Sequence, residues 1–313
     1  MQRTIVIAAV VIVIVAIGGI YAAVSLNTST GPACSTSGGV LQVVAGENFW
    51  GSLASQLGGT HVNVTSIVSD PNVDPHEYEG NAANARSIAN ACFVIVNGAG
   101  YDTWALNLIA ASNTPHQTVL NVQELLGLPV DTNPHLWYSP YYVNDTVRAM
   151  YKDLVNIDPA NAAYYKQQYA ALNSSLWNSY MEQELIIKQQ FAGAPVAATE
   201  DIFVYMANAT GLKIVTPPSF MQAVAEGNDP SSQDVVTFQN QLNQGNQSVR
   251  VLVYNEQTVT PLTQSLLALA AKNEIPYIRI SETIQPPNLT FQAWMQAELA
   301  QLQNALNAGA LGQ

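Results

Sequence analysis

The chain has 313 residues and is acidic, with 10 Lys and Arg against 22 Asp and Glu. That balance argues against nucleic acid or an anionic phosphate as the partner. Charged residues make up 10% of the chain, against about 25% in ordinary soluble domains, so uncharged polar side chains must cover much of the surface. Such sparse charge suits an acidic medium, where carboxylates are partly neutralised.

The first predicted element is an apolar segment. Residues 4–24 follow Arg3 and carry no charge. The run exceeds the roughly 7–15 residues of a cleavable signal core and reaches the roughly 18–20 that span a bilayer. We therefore expect residues 1–24 to direct export, as a removed signal or as an uncleaved anchor. Residues 25–39 are rich in Ser, Thr and Gly, which predicts a flexible tether at the outer face of the cytoplasmic membrane.

The cysteines and the Asn-x-Ser/Thr triplets also suit an exported protein. Cys34 and Cys92 lack zinc-site spacing, and three interpretations stay open: a disulfide between them, lipid attachment at Cys34, or a Cys92 that is simply buried in an apolar strand. The sequence before Cys34 is a poor match to a lipoprotein signal. Seven triplets that can accept a glycan begin at Asn27, Asn63, Asn144, Asn173, Asn208, Asn246 and Asn288.

Beyond residue 40, short β-branched runs alternate with helical stretches, which is typical of α/β units. In the first half, strands are predicted at 41–45, 62–68 and 93–96, and helices at 49–57, 82–89 and 101–111. In the second half, strands are predicted at 195–198, 213–215, 249–254 and 277–280, and helices at 203–209, 233–242, 263–272 and 290–306. We predict two similar lobes, each with a parallel sheet flanked by helices.

A segment without glycine connects the two halves. Residues 159–190 carry Tyr, Leu and Trp at helical spacing, and Pro159 after Asp158 marks a helix start. The sequence therefore predicts an N-terminal lobe at 40–158, one long rigid connecting helix at 159–192, and a C-terminal lobe at 193–313. A helical connector predicts only small movements of one lobe relative to the other.

Two short segments pair a histidine with a preceding proline: Pro75-His76 within residues 74–79 and Pro134-His135 within residues 133–138. Proline restricts the backbone before it and stiffens the loop that presents the imidazole. Histidine is the commonest nitrogen ligand for transition ions, and the chain has only four. These two are candidate metal ligands. For His61 and His116, in turn-like surroundings, we expect surface positions.

Carboxylates follow predicted strands in the second half. Glu200 comes after the strand at 195–198, and Glu282 comes after the strand at 277–280. Side chains at the carboxyl ends of parallel strands converge on the crevice where open α/β sheets bind ligands. Two histidines and two carboxylates facing a cleft between the lobes suit zinc, manganese or ferrous iron.

The chain resembles the metal-binding solute receptors of ABC importers for zinc and manganese, the helix-linked class of periplasmic binding proteins, over residues 40–306. The matching stretches are VVAGENFWGSLASQLGG, DPHEYE, IVNGAGYDTW, NPHLWY, ATEDIFVYMA and the region from YNEQT to SETIQPP. The resemblance implies His76 and His135 as the first two ligands and Glu200 as the third. The fourth, usually aspartate, has Glu282 as its nearest acidic counterpart.

The resemblance also implies a cargo and partners. Zn²⁺ or Mn²⁺ would be the transported ion, with Fe²⁺ possible, and the partners would be an ABC permease and its ATPase, with a monomeric receptor held at the membrane by its N-terminus. The chain lacks the His-rich acidic loop of many zinc receptors and has glutamate as the third ligand, and both departures favour manganese. The Irving–Williams order nevertheless predicts tight zinc binding by such a site.

Two further acids and two other functions complete the sequence-based expectations. Glu79 and Glu47 are candidates to support the ligands by hydrogen bonds, although an exposed loop acid and a helix-start charge are the alternatives. A surface metallohydrolase lacks support because there is no HExxH helix, and four protein ligands would close the site. An adhesin of the same fold with a structural metal is the other alternative.

Overall fold

The computed structural model describes residues 36–37, 39–112 and 114–309. The predicted export segment at 1–24 and nearly all of the predicted tether at 25–39 lie outside these residues. Within the described part of the chain, no helix is both long enough and apolar enough to cross a membrane.

The first half forms a sheet in which one long strand has neighbours on both sides. Strand β2 pairs in parallel with β3 on one side and with β4 on the other, and β5 extends the sheet beyond β4. The short β1 pairs with β2 antiparallel. The strands are β1 (Thr36–Ser37), β2 (Val40–Glu47), β3 (Val62–Val68), β4 (Phe93–Val96) and β5 (Thr118–Asn121).

Helices follow the parallel strands of this sheet. The first of them packs on β2 and β3 and buries Phe49 and Trp50 completely. The second begins at a capping box in which Asn81 and Asn84 satisfy each other's backbone N–H groups. The helices are α1 (Asn48–Gly58), α2 (Ala82–Asn90), α3 (Thr103–Ser112), α4 (Val122–Leu125) and α5 (Pro140–Ile157). Strand β5 and helix α5 were not among the sequence-based expectations.

The segment between the lobes is helical but not uniform. A 3-10 turn at Pro159–Asn161 leads into α6 (Ala162–Leu176), a π-helical turn at Trp177–Met181 and α7 (Glu182–Phe191). Helix α6 packs on α1 of the first lobe, and the π turn packs on the last helix of the chain. The connector therefore has tertiary contacts along its length and to both lobes.

The second half forms a four-stranded sheet whose pairings are all parallel, in the order β7-β6-β8-β9. Its strands are β6 (Pro195–Ala198), β7 (Lys213–Ile214), β8 (Leu252–Asn255) and β9 (Tyr277–Ile280). Its helices are α8 (Val204–Thr210), α9 (Pro218–Ala225), α10 (Ser232–Asn243), α11 (Pro261–Lys272) and α12 (Phe291–Ala308). The predicted fold class, two α/β lobes with parallel sheets flanked by helices, is confirmed.

Candidate metal centre

The two proline-histidine segments share one local structure. Asp74 accepts a 2.9 Å hydrogen bond from the backbone N–H of His76, and Asn133 accepts a 3.0 Å hydrogen bond from the backbone N–H of His135. In both segments, the Asp or Asn lies two residues before the histidine, with a proline between them. Such side chain to backbone bonds stabilise turns. Each imidazole is thus presented from a fixed turn.

The two imidazoles meet one carboxylate from the other lobe. Nε2 of His76 lies 3.4 Å from Nε2 of His135 and 3.3 Å from Oε2 of Glu282. One ligand atom from each of the three residues lies within 4.8 Å of the others. Donors about 2.1 Å from a tetrahedral ion are about 3.4 Å apart, so the two distances from Nε2 of His76 match those between donors that share one cation.

The environment of His135 orients its lone pair toward this cluster. The side chain is fully buried, and its Nδ1 lies 2.8 Å from Oδ1 of Asn133 and 3.3 Å from Oδ1 of Asp201. Both partners are acceptors, so we assign the proton to Nδ1. Nε2, which faces His76, is then free to donate its electron pair to an ion, the arrangement common to metal-binding histidines.

Glu282 is held by donors from both lobes. The hydroxyl of Tyr101 donates a 2.7 Å hydrogen bond to Oε2, and Nδ2 of Asn255 donates a 2.6 Å hydrogen bond to Oε1. Its backbone N–H donates to Oε1 of Gln257 at 2.8 Å. The side chain is fully buried. Its position is therefore fixed by a tyrosine of the N-terminal lobe as well as by residues at and just after the end of β8.

Glu200 lies beside this group rather than within it. It is not one of the three residues whose ligand atoms cluster. Its Oε1 accepts a 2.5 Å hydrogen bond from Asn255, and its buried Oε2 has no hydrogen-bond partner among the described residues. Burial, and then the charge of Glu282, raise the pKa of Glu200 well above its usual range. An unpaired buried carboxylate oxygen is costly, which makes it a ready donor to a cation.

The two acids predicted to support the ligands lie in different environments. Glu79 is exposed in the loop after His76, and no hydrogen bond joins it to either histidine among the described residues. Glu47 is buried at the end of β2, where burial and then the charge of Asp102 raise its pKa well above the usual range. Asp102 in turn accepts hydrogen bonds from the backbone N–H groups of Asn97 and Gly98. Glu47 thus interacts with Asp102, and within the described part of the chain no hydrogen bond joins it to a histidine.

A cleft of about 750 Å³ reaches the site. Its described lining includes His76, Tyr101 and Asn133 and contains no Lys or Arg. Carboxylates line it at Asp74, Glu77, Asp131, Asp201 and Glu226. A cleft of one charge sign raises the local concentration of oppositely charged ligands, so this one attracts cations.

Five residues around the site were not singled out from the sequence: Asp74, Tyr101, Asn133, Asp201 and Asn255. Two of them carried a readable signal, because Asp74 and Asn133 stand at the same place before a proline-histidine pair. Asp201 follows Glu200 directly, and Tyr101 belongs to a loop far away in sequence.

Cys92 is buried and disulfide-bonded, while Cys34 lies outside the described residues.

Comparisons with known proteins place the chain among metal-uptake components. The family model described as zinc-uptake complex component A, periplasmic (ZnuA), matches residues 43–305. The manganese-binding lipoprotein MntA of Halalkalibacterium halodurans is 27% identical over 191 residues, 58% of this chain and 61% of MntA. The manganese ABC transporter substrate-binding lipoprotein PsaA of Streptococcus pneumoniae is 26% identical over 208 residues, 60% of this chain and 64% of PsaA.

The match thus spans less than two thirds of the length of these curated relatives. Among solved structures, a crystal structure of ZnuA superposes with a TM-score of 0.69 at 19% identity, covering 85% of this chain and 99% of that one. At this identity the likeness shows the shared fold.

Proposed function

The chain belongs to the ZnuA family of zinc-uptake components, and from that membership we propose that it is an extracytoplasmic receptor for a divalent transition metal ion. It captures the ion reversibly and delivers it to an ABC permease powered by an ATPase. The observation that carries the proposal is the convergence of His76, His135 and Glu282, whose ligand atoms lie within 4.8 Å of one another.

We propose His76, His135 and Glu282 as ligands, with Glu200 as the fourth. Two imidazole nitrogens and two carboxylates suit Zn²⁺, Mn²⁺ or Fe²⁺, because imidazole binds transition ions well and carboxylate oxygens favour the harder ones. The cargo is therefore zinc or manganese, with ferrous iron as a weaker candidate. Glutamate at position 200 favours manganese, and the Irving–Williams order favours zinc.

The proposal also covers location and partners. We propose that the protein works as a monomer at the outer face of the cytoplasmic membrane, held there by its N-terminal segment. The relatives named as lipoproteins support a membrane-attached receptor. The proposed role is transport without catalysis, since four protein ligands leave no open coordination position for an activated water.

Metal binding by the full-length protein tests this proposal. We expect one ion per chain, bound reversibly, in calorimetric titrations with Mn²⁺ and Zn²⁺. His76→Ala should weaken binding by at least about tenfold because it removes a nitrogen ligand. His116→Asn is the matched control, because it removes an imidazole that is exposed and lies outside the cluster.

Three results would argue against the receptor role. The first is the absence of binding of either ion by the wild-type protein. The second is metal-independent binding of an extracellular matrix protein together with unchanged metal affinity in His76→Ala, which would favour the adhesin. Metal-dependent cleavage of an ester or amide would favour the hydrolase.

A further inference from the structure

The strand order of the second sheet places one asparagine between the two carboxylates of the site. Strand β8 lies between β6 and β9. Asn255 is the last residue of β8 and is paired with Ile280, the last residue of β9. Glu200 follows β6 by two residues, and Glu282 follows β9 by two residues. The side chain that ends the middle strand therefore lies between the loops that carry the two acids.

The amide of Asn255 contacts both acids. Its Nδ2 lies 2.5 Å from Oε1 of Glu200 and 2.6 Å from Oε1 of Glu282, and 3.0 Å from Oγ1 of Thr258. Its Oδ1 accepts a 2.9 Å hydrogen bond from the backbone N–H of Gln257, which fixes the orientation of the amide. Bonds to carboxylates are about twice as strong as bonds between neutral groups, so the two hydrogens of Nδ2 serve the two acids.

The chemistry of an amide suits this position. Two buried carboxylates repel each other and need donors to remain in place. Lysine or arginine would supply donors, but the positive charge would also repel an incoming cation. Asparagine donates two hydrogen bonds, carries no charge and does not titrate. It can therefore orient both acids without competing electrostatically with the ion.

We propose that Asn255 is a positioning residue that makes Glu200 and Glu282 act as a pair, a proposal that rests on the proposed function. Asn255 thereby sets the preference of the site between manganese and zinc. Asn255 contacts both oxygen donors of the set, whereas Asn133 contacts one of the two nitrogen donors, His135, through Nδ1. Removing Asn255 weakens the half that harder ions require.

The test compares Asn255→Ala with the matched variant Asn133→Ala. For Asn255→Ala we expect the affinity for Mn²⁺ to fall about 10- to 100-fold, the usual range for residues that orient ligands, and the affinity for Zn²⁺ to fall less. For Asn133→Ala we expect zinc affinity to fall at least as much as manganese affinity. Equal losses of both ions in Asn255→Ala would indicate a general structural defect and would overturn the proposal.

A double-mutant cycle identifies the acids as the route of the effect. If Asn255 acts through Glu200, Asn255→Ala should weaken Mn²⁺ binding much less in the Glu200→Gln background than in the wild type. Asn133→Ala should weaken Mn²⁺ binding equally in both backgrounds. Full additivity for Asn255 and Glu200 would exclude this route.

Two further measurements keep the outcome interpretable. Thermal unfolding of each variant without metal shows whether it folds. If Asn255→Ala does not fold, Asn255→Ser takes its place, because serine keeps one donor in a smaller side chain. The manganese-to-zinc affinity ratio should then change in the same direction, but by less. An unchanged manganese-to-zinc ratio in Asn255→Ser would then overturn the proposal. Failure of the wild-type protein to bind either ion would refute the receptor function itself. That outcome is distinguishable from a failure of the Asn255 proposal alone.

Discussion

The hydroxyl of Tyr101 donates a 2.7 Å hydrogen bond to Oε2 of Glu282, so a side chain of the N-terminal lobe holds a carboxylate of the C-terminal lobe. The same oxygen lies 3.3 Å from Nε2 of His76. Tyr101 therefore acts on the atom of Glu282 that faces the histidines, and it links the two halves of the site.

Tyr101→Phe should weaken metal binding while leaving the fold intact. The ring keeps its buried packing, and only the donor to Glu282 is lost. We expect affinity to fall about tenfold, since losing a group that orients a ligand typically costs 10- to 100-fold. Calorimetry with Mn²⁺ and Zn²⁺ measures the change. Wild-type affinity in Tyr101→Phe would show that the bond does not support the proposed ligand.

Glu200→His should shift the preference of the site toward zinc. Imidazole is a softer donor than carboxylate, and here it would take the place of Oε2, which has no hydrogen-bond partner among the described residues. The ratio of Zn²⁺ to Mn²⁺ affinity should rise relative to the wild type. Glu200→Gln is the control, because it removes the charge without adding a nitrogen ligand. If Glu200→His and Glu200→Gln give the same ratio, Glu200 is not a ligand.

Lobe movement on metal binding should be small. Besides the helical connector, hydrogen bonds cross between the lobes from Asn133 to Asp201, from Tyr138 to Ser281 and from Gln257 to Val73. A large hinge opening would break these bonds together. We expect solution scattering to give the same radius of gyration with and without metal, within error. Marked compaction on adding Mn²⁺ would contradict this expectation.

Stability should fall as pH rises because of Glu184, which is buried on α7. Burial raises the pKa of Glu184 from 4.5 to about 8. Between these values the folded protein retains a proton that the unfolded chain releases, so this group destabilises the folded state progressively as pH rises from 4.5 to 8. The destabilisation is absent below pH 4.5 and complete above about pH 8, and between these values the slope is about 1.4 kcal/mol per pH unit.

Glu184→Gln should remove that dependence. At pH 7.5 we expect the free energy of unfolding without metal to exceed the wild-type value by roughly 1–4 kcal/mol, and at pH 4 to match it. Urea unfolding at both values provides the measurement. Glu182→Gln, an exposed neighbour on the same helix, is the control and should change little. Equal stabilisation at both pH values would point to packing instead of protonation.

The sequence predicted more of the candidate site than its local patterns alone indicate. The strands at 62–68, 93–96, 195–198 and 277–280 were predicted with the limits that the structure has, because each is a short run that contains β-branched residues and is followed directly by polar residues. The carboxyl ends of the strands at 195–198 and 277–280 bring Glu200 and Glu282 to the same amide, that of Asn255, as expected for parallel strands of one sheet.

What the sequence did not reveal depends on neighbours far along the chain. The predicted strand at 249–254 is instead β8 at Leu252–Asn255, and the shift makes Asn255 the strand end that contacts both acids. The short strand β5 has only four residues and a weak pattern. Helix α5 was missed although Val143, Val147, Met150 and Leu154 recur at helical spacing, Ser139 caps it and Pro140 opens it. The contact of Tyr101 with Glu282 joins residues 181 positions apart, and no local pattern reports it.

The distribution of the proposed ligands along the chain has a consequence for biogenesis. His76 and His135 precede the connecting helix, whereas Glu200 and Glu282 follow it. A chain exported from its N-terminus displays both imidazoles before either carboxylate has emerged. If these four residues are the ligands, we expect high-affinity capture only after Glu282, which follows the last strand, has crossed the membrane, and we expect an interrupted export product with half the site to bind metal weakly.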